Sequence, residues 1–317
     1  KLEIRGGYTL YLCLNGFSIT SSEDGLTAWD TVVTVYDKAK FVLCNCKNDT
    51  GTLTHSSGMH GKGVRVGQGS DAVFIMYGGT ISGNHIGNSN NDGAGVEIQN
   101  GTFKMYGGKI TDNHIDATSY YGGGGVCAQS GGKFIMYDGE ISHNTSNDDG
   151  GGIVAWGGSA SLYGGTISGN TSGNNGGGIC TNSNLIISGN VRIADNTAAN
   201  GKGGGVYFNP WGSGNLTISD SVIFANNTAM DGGGIYINEG GLTINGGSIT
   251  NNTATGNGGG VYFGGSSFKI SGNTGITGNK KNSDANNIYL PNGKRINVEG
   301  ELTGTVPIGV TTEATPN

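Results

Sequence analysis

The stretch "NTAMDGGGIYINEGGLTINGGSITNNTATGNGGGVYF", residues 227–263, states one pattern twice: an asparagine, a glycine triplet and short apolar runs return after 25 to 26 residues. Traced outward, the apolar residue after each glycine cluster recurs as Val64, Val96, Val126, Ile153, Ile179, Val206, Ile235, Val261 and Ile288, at intervals of 26 to 32 residues. A second marker keeps the same rhythm. Asn84, Asn113, Asn144, Asn170, Asn196, Asn227, Asn252 and Asn279 close segments such as "ISGN", "ITDN" and "ITNN". Two independent markers with one period define a structural repeat.

Each unit carries three short apolar/polar alternations, for example Val261-Tyr262-Phe263, Phe268-Lys269-Ile270 and Gly275-Ile276-Thr277. Alternation over so few residues marks short strands, and no segment shows a helical period. The pattern predicts an all-β fold, a single-stranded right-handed parallel β-helix with three short strands per rung and roughly 10–11 rungs. Propeller blades, at ~40–45 residues, are too long for this interval. One domain is expected over residues 1–311: N-terminal rungs 1–57, regular repeats 58–287 and a closing rung 288–311, with 312–317 as a linker. Glycines belong at corners that need φ > 0 or close backbone approach. The closing asparagines belong at an inward corner, where stacked amides satisfy one another.

Among 317 residues there are 65 glycines but only four prolines, and no glycine at every third position, which excludes collagen. Charged residues are 13% and the net charge is -6, so no basic footprint for nucleic acid exists. No apolar run is long enough for direct membrane insertion as a helix. The opening "KLEIRGG" and closing "TTEATPN" read as cuts within a longer protein, of which this is expected to be a monomeric domain.

"GGGVYF", "GGGIYI", "FKMYGGKITDN" and "GGSITNNTA" resemble the Gly/Asn-rich right-handed β-helix repeats of large surface proteins from gut Firmicutes and related bacteria. The likeness covers roughly residues 8 to 311. The repeats are also similar to those of chlamydial polymorphic outer-membrane adhesins, although only "FANN" fits the second motif of that family fully. The resemblance implies a secreted or wall-anchored, adhesin-like protein whose partner is a host or microbial surface glycan or protein. β-Helices also carry polysaccharide lyases and glycoside hydrolases, so the fold alone does not decide function.

Stacked rungs turn equivalent positions into rows. The residue after each anchor is expected to face outward, giving Arg65, Glu97, Cys127, Val154, Cys180 and then four tyrosines, Tyr207, Tyr236, Tyr262 and Tyr289. With Gln99, Gln129 and Trp156 two residues further on, Arg65 and the four tyrosines form the expected binding surface. A second outward row runs Cys13, Cys44, Tyr77, Tyr106, Tyr137, Tyr163, with Phe74, Met76, Phe103, Met105, Phe134 and Met136 inside. Either tyrosine row is a stacking ladder or an aromatic surface for a ligand.

A polar row four residues before the anchor, including Asp92, Asp149, Asn175, Asp231 and Asn257, suits backbone capping. If the chain is an enzyme, Glu97, Asp92 and Asp149 are its candidate catalytic carboxylates, and a glycosidase needs two carboxyls ~5–9.5 Å apart. No family-specific catalytic motif accompanies them, so a non-enzymatic binding domain is favoured and a passive stalk is the third reading. No cofactor is expected. The histidines show no clear metal-ligand spacing, although His85, His114 and His143 make a short row suited to surface corners or to weak metal or pH-sensitive binding. Cys13 lies one rung from Cys44, so a disulfide to Cys44 or Cys46 is expected.

Overall fold

The computed structural model describes the chain apart from residues 23–29, 47–49, 68, 70, 88–92, 117–121, 305 and 315–317. The chain winds as a parallel β-solenoid with three sheets as its faces. Among the described residues the anchor sheet has twelve strands, from Leu2–Ile4 to Val310–Thr312. The long sheet contributes two segments to most rungs, such as Lys133–Met136 and Glu140–Ser142. In later rungs the two fuse into single strands such as Asn215–Ala225 and Ser267–Thr277. The short sheet consists of two-residue strands directly after the asparagines, for example Thr145–Ser146. The strand after Asn279, Lys280–Lys281, is closed by a further short strand, Asp284–Ala285, that turns back antiparallel on it.

On the anchor sheet register follows the repeat without slippage, whereas the later long strands shift register at their bends, between Asp220 and Ile223 and between Asn245 and Gly247. Val64 pairs with Val96, Val96 with Val126, Val126 with Ile153, and so on to Val261 with Ile288. Parallel in-register pairing puts identical side chains one strand spacing apart, which suits aromatic stacking. Phe41, Phe74, Phe103 and Phe134 accordingly stack through the interior with ring centroids 5.2, 4.5 and 5.1 Å apart. Met76, Met105 and Met136 are buried beside them, as the pattern predicts.

The asparagines form a continuous buried ladder. Each Nδ2 from Asn84 to Asn252 donates to Oδ1 of the next asparagine at 2.9–3.0 Å. That same Oδ1 also accepts the donor residue's backbone N–H. His55 Nδ1 meets Asn84 Oδ1 at one end, and Asn287 Oδ1 receives Asn279 Nδ2 at the other. An amide suits this place because it donates and accepts at once, so every buried corner is satisfied.

The row after the anchors does not face solvent as expected. Arg65, Glu97, Cys127, Val154, Cys180 and Tyr236 are all buried, and Tyr207, Tyr262 and Tyr289 are half-buried. The cause is the glycine corner, which folds back over the outer surface of the anchor sheet. Gly232 has φ +62°, and a Cβ there would lie 2.7 Å from Tyr236 Cβ. At Gly150, φ +64°, a Cβ would meet Val154 Cγ2 at 2.1 Å. Glycine is therefore required by both backbone angle and space.

Candidate functional site

The displayed aromatic row is the one on the long sheet. Tyr77, Tyr106, Tyr137 and Tyr163 each follow a strand whose inward residues, Phe74/Met76 and their equivalents, anchor it in the core. Their backbone N–H groups donate to Leu43, Met76, Met105 and Met136 carbonyls at 2.8–2.9 Å, which continues the ladder one residue past each strand. The rings stack with centroids 5.2, 4.6 and 5.6 Å apart and planes within 6–24°. Each is 38–55% exposed. Because each ring face meets its neighbour, the row offers solvent its edges and hydroxyls. Burial between neighbours, with Tyr137 and Tyr77 adding, pushes the Tyr106 phenol above its ordinary pKa, so that hydroxyl stays protonated at neutral pH.

Tyr207, Tyr236, Tyr262 and Tyr289 also stack, 5.6, 4.5 and 5.3 Å apart. Tyr207, Tyr236 and Tyr262 lie beside the glycine corners, so they form a packed ladder rather than an open surface. Lys202 Nζ donates to Tyr236 OH at 3.0 Å and lies 4.7 Å from its ring centroid. Burial pushes the Tyr207 phenol well up and that of Tyr262 up to about 12.

The break in that row gathers Arg65, Glu97, Gln99 and Gln129 as expected from the sequence, around a lysine that sequence reasoning missed. Lys62 Nζ lies 2.5 Å and Arg65 Nε 3.2 Å from Glu97 Oε2. Gln99 and Gln129 donate to Glu97 Oε1 at 2.6 and 3.0 Å, and Arg65 donates to Gln99 Oε1 at 2.9 Å. Lys62 is 2% exposed and Glu97 is fully buried, so this carboxylate is saturated and screened from any substrate. Trp156 sits one rung further and meets the exposed Trp211 edge-on at 5.8 Å.

Asp149 caps the next rung: its Oδ1 accepts Asn175 N–H at 2.9 Å and Asn175 Nδ2 at 3.1 Å. Asn175 does the same for Lys202, and Asp231 for Asn257. Burial raises the Asp149 carboxyl above the usual range and adjacent Asp148 adds to this, while the bonds from Asn175 pull it back. Its Oδ2 faces Cys180 Sγ at 3.7 Å. The Ile153 rung that carries Asp149 lies two anchor-sheet spacings, roughly 10 Å, beyond that of Glu97, and each carboxylate is taken up by its own neighbours. Asp92 lies outside the described residues. Two open hollows, of about 310 and 320 Å³, carry one carboxylate each, Asp220 and Asp71.

Cys13 joins Cys46, with Cα atoms 6.2 Å apart, rather than its register partner Cys44. Cys44 keeps a thiol that donates to Leu12 O at 3.5 Å.

The histidines group differently from their sequence row. His85 and His114 pair on the short sheet, and the next residue in register is Thr145, not His143. Their rings lie 5.1 Å apart, and His60 extends the column 4.8 Å above His85. Asp116, absent from the sequence reading, contacts both: Oδ2 to His85 Nε2 at 2.7 Å and Oδ1 to His114 Nε2 at 2.5 Å. The two histidines stand out in the sequence, since "NHI" at 84–86 and 113–115 interrupts the "NTS" and "NTA" of later rungs, but nothing in that pattern marks Asp116. Burial acts to raise the Asp116 carboxyl, but the bonds from His114 and His85 bring it below its ordinary value.

No curated protein and no solved structure matches the chain. The family model described as "Right handed beta helix region" matches residues 109–275, more than half of the chain, and spans the Tyr137–Tyr163 end of the exposed ladder. With parallel stacked rungs, continuous register on the anchor sheet and this match in agreement, the chain belongs to the right-handed β-helix family.

Proposed function

We propose that this chain is an adhesin-like extracellular binding module that holds an extended glycan of a host or microbial surface along the Tyr77–Tyr163 ladder. The observation that carries the reading is the line of four exposed phenols at 4.6–5.6 Å spacing. A polymer lying along the rod meets a hydroxyl at every rung, and phenols combine apolar contact with a hydrogen-bonding tip. Outward neighbours on the same strands are mixed: Thr102, Ser159 and Ser161 are polar without charge, Ile75 and Ile135 are apolar, and Lys104 and Lys133 are charged. The Cys13–Cys46 disulfide supports an oxidising compartment. The resemblance to bacterial surface repeats supports the same location. A hydrolase or lyase reading has less support, because Glu97 is saturated and Asp149 caps a corner.

A glycan array followed by calorimetry tests this. Tyr106→Ala/Tyr137→Ala should weaken binding by about tenfold or more, ~1.4 kcal/mol. Tyr262→Ala, in the covered ladder, should leave binding unchanged. If wild type binds no glycan, or the double variant binds as well as wild type, the proposal fails and a passive stalk becomes the better account.

A further inference from the structure

We propose that His85, His114 and Asp116 form a binding site for one divalent first-row transition ion, with Zn²⁺ as its natural probe. One donor atom from each of the three residues lies within 4.8 Å of the others, and Nε2 of both imidazoles is turned toward the same Asp116 carboxylate. Imidazole nitrogen and carboxylate oxygen are ordinary zinc donors, at ~2.0–2.2 Å, so tetrahedral ligands sit about 3.3 Å apart. The present N···O contacts of 2.5 and 2.7 Å therefore need to open by under about 1 Å. Rotation of the Asp116 side chain, 46% exposed, supplies that movement without disturbing the backbone.

Two features prepare the site. His114 Nδ1 is hydrogen-bonded to Thr145 Oγ1 on the following rung, the kind of partner that fixes ring orientation and leaves Nε2 to the ion. The solenoid holds both histidines in register on adjacent strands, so their spacing is set before an ion arrives. Three protein ligands on a partly exposed surface leave the remaining positions to water. The spacing of histidines along the chain does not reveal the set, because its ligands come from neighbouring rungs. Cys13, Cys44 and Cys46 also cluster, but Cys13 and Cys46 are joined in the disulfide and Cys44 alone remains a thiol.

The repeat itself supplies the control variants. Later rungs carry threonine where these carry histidine, so His85→Thr and His114→Thr restore a residue the fold already accommodates. Zn²⁺ is titrated by calorimetry into the metal-free, oxidised chain, and Co²⁺ is followed by visible absorption, with thermal unfolding confirming that each variant folds. The expected result is one Zn²⁺ per chain, with Co²⁺ bands free of sulfur charge transfer. Either threonine variant, or Asp116→Ala, should lower affinity at least about a hundredfold, and Thr145→Val about tenfold. Absence of Zn²⁺ binding by wild type overturns the assignment. So does binding that survives His85→Thr/His114→Thr, or that disappears only in Cys44→Ser.

Discussion

Asn170 donates through Nδ2 to Oδ1 of Asn196 at 3.0 Å, and both side chains are completely buried on successive rungs. The Asn170 amide also accepts Asn144 N–H and Nδ2 at 3.0 Å and donates to Ile141 O at 2.9 Å. Asn170→Ala therefore strands several buried polar groups at once, each costing ~1–3 kcal/mol. A loss of about 3 kcal/mol or more is expected in urea denaturation. A loss under about 1 kcal/mol would show that the ladder contributes little.

Around Glu97, one buried carboxylate holds two buried cations. Glu97→Ala leaves both cations uncompensated and should cost about 3–5 kcal/mol. The triple change Lys62→Met/Arg65→Leu/Glu97→Leu should recover most of that, because the apolar replacement removes the desolvation cost with the charges. Equal stability of the single and triple variants would contradict this account.

Asp149 gives a pH signature of definite sign. Its folded pKa is raised above the ordinary 3.8, so its contribution is most favourable below that value. Stability falls as pH rises from there through the folded pKa, since the native state holds the proton more tightly. Asn175 shows that an amide caps the same corner, so Asp149→Asn keeps the fold. Denaturation midpoints of the two proteins, compared across mildly acidic pH, should diverge in favour of Asp149→Asn as pH increases. A constant difference would refute the assignment.

The Cys13–Cys46 link closes a segment of 33 residues at the N-terminal end. Cys46→Ser should cost about 2–4 kcal/mol. Because each rung touches only its neighbours, that loss should stay local. Amide exchange should quicken over residues 1–57 and remain unchanged over 109–275. Uniform acceleration along the rod would mean that the solenoid unfolds as one unit.

The fold was legible because its two markers are structural necessities: the anchor valines and isoleucines fill the core, and the asparagines satisfy the corners. The exposed side was harder to read. Alternation says that Tyr236 and Val154 leave the core face, but not that a glycine corner then covers them. That covering moved the open aromatic surface from Tyr207–Tyr289 to Tyr77–Tyr163. Strand count also blurred, since the long sheet breaks into two segments where a bend intervenes and fuses where it does not. Lys62 and Asp116 were missed because they belong to no row. Their roles arise only when adjacent rungs meet.

The asparagine column has a direction. Every amide turns its oxygen toward the preceding rung and its nitrogen toward the following one, from His55 to Asn287. The side-chain dipoles therefore add head to tail, and each bond polarises the next. A segment cut at two asparagines carries one unmatched acceptor and one unmatched donor, the same pair that its neighbours present. Such a segment can be spliced in or deleted without a new solution for the corner, so rod length is free to change by whole turns while the chemistry of each joint stays constant.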